Sequence, residues 1–186
     1  LPVDRKLNLG GTLLAHQALV AGGIDLYPEY TGTALTAVLK LDQTGDAAVV
    51  RKRISDEYKA KWQLSWMSPL GFNNTFAMTV RGDVPHMTIS EAAGARAWRL
   101  GTGYEFLKRP DGLPGLMRTY GLKLEGEPIT MDLALLYRAL ESRQVDMVAG
   151  SGTDAQLSVL NVRVLRDDRG YFPPYECAVV VPEADL

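Results

Sequence analysis

Three places in the 186-residue sequence set glycines and hydroxyl side chains where a strand would hand over to a helix: Gly10-Gly11-Thr12, Thr31-Gly32-Thr33 and Gly150-Ser151-Gly152-Thr153-Asp154. The first N–H groups of a helix have no partner inside it, and such helix starts attract carboxylates and other anions. At the middle turn an aromatic residue, Tyr30, stands between the carboxyl end of a short apolar strand and the helix start. Ligands of open α/β folds bind at that kind of position. Tyr27 and Tyr30 serve equally as packing residues, and on the residues alone packing is the stronger of the two readings. None of the three turns matches a phosphate loop or a dinucleotide fingerprint.

Other reactive residue types do not assemble into chemistry. There is no Ser/His/Asp order, and Ser151 lacks the glycine spacing of a nucleophile elbow. His16 lies inside an apolar helix and reads as a satisfied packing residue, while His86 follows Pro85 in a loop. Trp62, Trp66 and Trp98 are assigned to packing. The single cysteine, Cys177, excludes an internal disulfide, and no zinc-ligand spacing is present. Hydrophobic content of 46% and charged content of 23% are those of an ordinary globular protein. A net charge of -2 gives no case for nucleic acid or an anionic membrane surface, and no apolar run spans a bilayer. The first residue is Leu1, and the sequence reads as cut from something longer.

The elements that would position these turns follow from periodicity and punctuation. Residues 3–9 alternate as a strand. Residues 13–21 form an apolar helix stopped by Gly22-Gly23, and 24–27 a strand that Pro28 takes out of the sheet. A threonine of the Thr31-Gly32-Thr33 turn caps a helix over 34–39, and 46–59 is a surface helix. Residues 62–70 are strand-like or irregular, and 73–80 are β-prone until Arg81-Gly82-Asp83. Thr88 caps a helix, 98–102 is a short strand, and Arg109-Pro110-Asp111-Gly112 is a turn. Residues 132–143 form an amphipathic helix, followed by strands over 144–149 and 162–165, a charged turn over 166–169 and a last strand at 178–181. Thr153 and Asp154 read as caps of the helix that follows them. One echo links two places: Gly23-Ile24-Asp25-Leu26 followed by Tyr30, and Gln144-Val145-Asp146-Met147 followed by Ser151. It fits two α/β lobes of similar build.

Four segments, IDLYPEYTGTAL, GFNNTFAMTVR, YEFLKRPDGLPGL and DDRGYFPPYECAVVV, resemble the substrate-binding proteins of glycine betaine, choline and carnitine ABC transporters. The resemblance covers essentially the whole chain in the family's order. It implies an α/β, two-lobed periplasmic-binding-protein-like fold of type II, truncated at both ends relative to the family. Residues 1–74 with 176–186 would form lobe 1 and 75–175 lobe 2, with hinge crossings near 74–77 and 174–176. The implied function is the extracytoplasmic solute-binding component of an ABC importer, periplasmic or extracellular and membrane-associated through its permease. The implied ligand is a quaternary ammonium solute in an aromatic cleft between the lobes. No catalysis, cofactor, metal or nucleic-acid partner is implied. Two alternatives stay open: a sensory or regulatory domain on the same fold, and a receptor for a different polar or amino-acid-like betaine.

A quaternary ammonium has a diffuse charge and no N–H, so aromatic faces are its natural wall. The resemblance puts Tyr30 at the first cage position, Phe76 at the second where tyrosine is frequent, and Tyr175 at the fourth. Ser151 falls where relatives carry the third aromatic, which leaves the cage short of one face and open to a bulkier ligand. For a ligand carboxylate the family positions are Thr33 and Arg109. Arg109 reads equally as a loop residue paired with Asp111. Asn74 either bonds the ligand or ties the crossing strand.

Overall fold

The computed structural model describes residues 3–7, 9–42 and 46–186. The chain divides into two compact units, Leu1–Asn73 with Pro174–Leu186, and Asn74–Pro173.

In the first unit, helix α1 (Thr12–Val20) ends where Gly22 takes φ +71°. That left-handed turn lets Gly22 N–H bond Leu19 O and Gly23 N–H bond Ala18 O, closing the last carbonyls. Strand β1 (Tyr27–Tyr30) runs directly into a single helical turn, α2 (Thr31–Thr33), which continues as a wider π-helical turn over Ala34–Val38. Helix α3 (Ala47–Trp62) starts at Asp46, whose carboxylate accepts from Ala48 and Val49 N–H. It buries Val50, Ile54 and Tyr58, one side chain per turn, against Leu19, Tyr27, Leu35 and Val180. Strand β2 (Leu64–Trp66) follows. The unit's sheet has the order β1-β8-β2, where β8 (Cys177–Pro182) is the last strand and pairs antiparallel with both neighbours.

The second unit holds strands β3 (Phe76–Arg81), β4 (Leu100–Thr102), β5 (Ile129–Thr130), β6 (Met147–Ser151) and β7 (Val162–Val164) in the order β5-β4-β6-β3-β7. Strand β4 is parallel to β5 and β6, whereas β3 is antiparallel to β6 and β7. Successive β6 side chains serve opposite faces. Met147 and Ala149 join the core under helices α4 (Ile89–Ala95) and α5 (Leu113–Tyr120). Val148 joins Leu136, Tyr137 and Leu140 of helix α6 (Leu136–Glu141) on the other face. A short helix α7 (Gln156–Val159) precedes β7. Asp146, just before β6, is buried and pairs with Arg81, Arg96 and Arg99.

Several expectations change. Residues 3–7 and 9 form no strand; Val3 and Leu7 are exposed, so the alternation has no partner. Pro28 lies inside β1 opposite Val179, because β1 is an edge strand and needs ladder bonds on one side only. Thr33 stands at the N-cap of the Ala34–Val38 turn but, among the described residues, makes no side-chain cap bond there, and the helical path already begins after Tyr30. The helix read over 132–143 is a 3-10 turn (Leu133–Leu135) followed by the shorter α6. Helix α5 follows the turn read at 109–112, over residues for which no element was read. The division places Tyr175 with the first unit rather than the second, since Tyr175 N–H bonds the Asn73 side chain and Glu176 pairs with both Asn73 and Thr31.

Candidate functional site

In the first unit the antiparallel β1–β8 pair leads Tyr30 to the strand end, with Cys177 opposite. Glu29 beside it is buried, and its carboxylate accepts from Tyr30 N–H at 2.7 Å and from the Tyr27 hydroxyl at 3.2 Å. Burial and then the Glu29 charge push the Tyr27 hydroxyl far above its ordinary pKa, which keeps it a neutral donor. The α2 turn is fastened to the final segment. Thr31 Oγ1 donates to Pro174 O at 2.9 Å and accepts from Glu176 N–H at 3.1 Å. Gly32 lets the Tyr175 ring lie against the turn backbone, since a Cβ there would fall 2.7 Å from Tyr175 Cδ1 and Cε1. Tyr30, Thr33 and Tyr175 thus belong to one assembly, in which Tyr30 is half-buried and Thr33 and Tyr175 are buried.

In the second unit the β3–β6 register sets Phe76 opposite Ser151. Asp154 Oδ2 accepts from Ser151 N–H and from the Tyr137 hydroxyl, both at 2.8 Å. Gly152 N–H bonds Thr75 O at 2.7 Å. These bonds occupy N–H groups that the sequence offered to an anion. They also correct the reading of Asp154 and Thr153 as helix caps. Asp154 holds the end of β6, Thr153 Oγ1 donates to Asn74 Oδ1 at 2.6 Å, and α7 has no side-chain cap. Asn74 therefore makes a tie next to the start of β3.

Arg109 pairs with Asp111 through two bonds, Nε to Oδ1 at 2.9 Å and Nη2 to Oδ2 at 2.6 Å. Asp111 is fully buried, and the Arg109 side chain is 13% exposed. The pairing reading of Arg109 is thus what the structure holds. The same guanidinium lies 5.3 Å over the Phe76 ring.

Residues that the sequence reading passed over complete the picture. Phe106 meets Phe76 edge-on at 4.9 Å, and Phe172 lies 5.7 Å from Phe76. The carboxylate of Asp167, read only as part of a charged turn, accepts from Tyr171 and Phe172 N–H and from the Tyr120 hydroxyl. The signal was the aspartate four and five residues before the aromatic pair Tyr171-Phe172. His16 packs in a ring nest with Tyr58 and Trp62, but its Nδ1 has no hydrogen-bond partner among the described residues. Among the described residues no group of three His, Cys, Asp or Glu side chains is placed to hold a metal, and no helix is long and apolar enough to cross a membrane.

Residues 1–184 match the family model described as the substrate binding domain of ABC-type glycine betaine transport systems. The chain belongs to this family. A Helicobacter pylori relative, named ergothioneine transport permease/ergothioneine binding protein EgtU, is 34% identical over 189 residues, covering 97% of this chain and 33% of that protein. A glycine-betaine-binding protein of Pseudomonas aeruginosa is 34% identical over 186 residues, covering 92% of this chain and 60% of the relative. This substrate-binding domain therefore spans a third to about three fifths of the length of these two curated relatives. A crystal structure described as that of a glycine betaine/carnitine/choline ABC transporter superimposes with a TM-score of 0.77 at 30% identity, over 96% of this chain and 68% of that one. The α/β fold is thus that of the periplasmic binding proteins.

Proposed function

We propose that this substrate-binding domain is the receptor of an ABC importer for a betaine-type solute, acting outside the cytoplasm and handing its ligand to a permease without chemical change. The observation that carries this reading is the composition of the two residue groups. Tyr30 and Tyr175 bring aromatic faces beside a Thr/Gly turn in one unit. Phe76 brings another, with a guanidinium over it, in the other unit. Aromatic faces suit a trimethylammonium group, each contributing ~0.5–2 kcal/mol depending on desolvation. The turn at Thr33 and the Arg109 guanidinium suit a carboxylate. Ser151, opposite Phe76, supplies no ring. A serine where relatives carry an aromatic, together with the name of the Helicobacter relative, favours a betaine bulkier than glycine betaine.

Calorimetric titration of the full-length protein with glycine betaine, choline, carnitine and ergothioneine, with the recovered ligand analysed for change, tests this. Saturable binding of at least one betaine, recovered intact, is expected. Conversion of the ligand, or no binding of any of the four, would overturn it.

A further inference from the structure

We propose that Phe172 is an aromatic wall of the ligand site, supplying in the second unit the face that Ser151 does not, and that Asp167 is the residue that positions it. This rests on the receptor reading above.

Phe76 and Phe172 are both half-buried and both pack on the rim of the second unit's core. Their ring centroids are 5.7 Å apart and their planes differ by 49°, so the two rings face different directions. Phe106, buried beneath, meets Phe76 at 4.9 Å and Phe172 at 6.5 Å. Phe76 alone is a poor host for a second cation. The Arg109 guanidinium already lies 5.3 Å over its ring, draws on the same quadrupole and repels like charge. Of the two phenylalanine neighbours of Phe76, Phe106 is buried, whereas Phe172 is half-buried with its plane turned 49° from that of Phe76.

The Phe172 main chain is unusually well anchored for a turn. Asp167 Oδ1 accepts from Tyr171 N–H at 2.9 Å and from the Tyr120 hydroxyl, and Oδ2 accepts from Phe172 N–H at 2.8 Å. The Tyr120 oxygen in turn accepts from Arg169 N–H at 2.8 Å, and the Arg169 guanidinium stacks 5.2 Å over the Tyr120 ring. The Tyr171 hydroxyl donates to Gly112 O at 2.7 Å, which joins this turn to the loop that carries Arg109 and Asp111. One carboxylate thus fixes two consecutive N–H groups and with them the direction in which Phe172 leaves the chain.

The test measures, in the full-length protein, binding of choline and glycine betaine and of their tert-butyl analogues, in which carbon replaces the quaternary nitrogen. Phe172→Leu should lower affinity for the cations about two- to thirty-fold and for the uncharged-head analogues much less, whereas Phe172→Tyr should keep the preference. Asp167→Asn should reduce the same preference and should add little further loss on top of Phe172→Leu. A Phe172→Leu protein that binds choline and betaine with the wild-type preference over the analogues would overturn the proposal and leave the receptor reading standing. A wild-type protein that binds no quaternary ammonium ligand would overturn both.

Discussion

Gly32→Ala tests whether the α2 turn and Tyr175 form one assembly. A Cβ at this position would fall 2.7 Å from two Tyr175 ring carbons and 2.8 Å from Pro174 O, where ordinary contact begins at 3.4 Å. The neighbours must therefore give by about 0.6 to 0.7 Å, the difference between those distances. Neither gives easily. Tyr175 is 2% exposed and tied through its N–H to Asn73, and Pro174 O already accepts from Thr31 Oγ1. Overpacking of this kind costs ~1–3 kcal/mol. The loss of glycine's freedom in the unfolded chain returns ~0.4–1 kcal/mol. The expected net destabilisation is ~1–2 kcal/mol, a fall of roughly 0.5–1 M in the urea midpoint. Urea unfolding of the wild type, Gly32→Ala, Tyr175→Leu and the double variant measures it. In the Tyr175→Leu background the alanine should cost about half as much, since the ring contacts are gone and the Pro174 contact remains. An unchanged midpoint for Gly32→Ala, or an equal cost in both backgrounds, would refute the reasoning.

Three further outcomes are expected. Arg99 first, then Arg81 and Arg96, hold the Asp146 carboxyl well below the usual carboxylate range despite burial. A depressed folded pKa adds stability that is present above about pH 4 and is lost as pH falls through the folded value. Asp146→Asn should therefore cost ~2–3 kcal/mol at pH 7, discounted from ~3–5 for a buried pair because Arg96 and Arg99 are 44% and 39% exposed. Its deficit should shrink in urea titrations below pH 4. Burial lowers the His16 pKa, so the folded state resists protonation and stability should fall as pH drops below about 6.5. His16→Phe should flatten thermal stability between pH 7.5 and 5. Arg109→Lys, which keeps a charge beside Asp111 but loses the fork, should weaken glycine betaine more than choline by calorimetry. Equal losses would assign Arg109 to structure alone.

What could be read from the sequence was mostly local. Gly22-Gly23 ends α1, Thr88 caps its helix, and Tyr30 and Ser151 stand where a strand gives way to a turn, although β1 and β6 each start three residues later than the strands read at 24–27 and 144–149. What could not be read depends on partners far along the chain. Pro28 fits a strand only because β8 leaves β1 at an edge. The alternation of residues 3–9 meets no neighbouring strand over the described positions. Asp154 looked like a helix cap because its acceptor geometry suits one, but the nearer N–H of Ser151 and the Tyr137 hydroxyl take it. Ring partners such as Phe106 and Phe172 are invisible to spacing, since the sheet and two loops bring them to Phe76.

A crystal structure of the full-length protein with a bound betaine tests the central claim most directly. The proposal predicts the quaternary nitrogen within ~6 Å of ring centroids from the set Tyr30, Phe76, Phe172 and Tyr175. It also predicts the ligand carboxylate in hydrogen-bond contact with Thr33 or Arg109. A betaine that binds elsewhere on the chain, or touches none of these four rings, would contradict it.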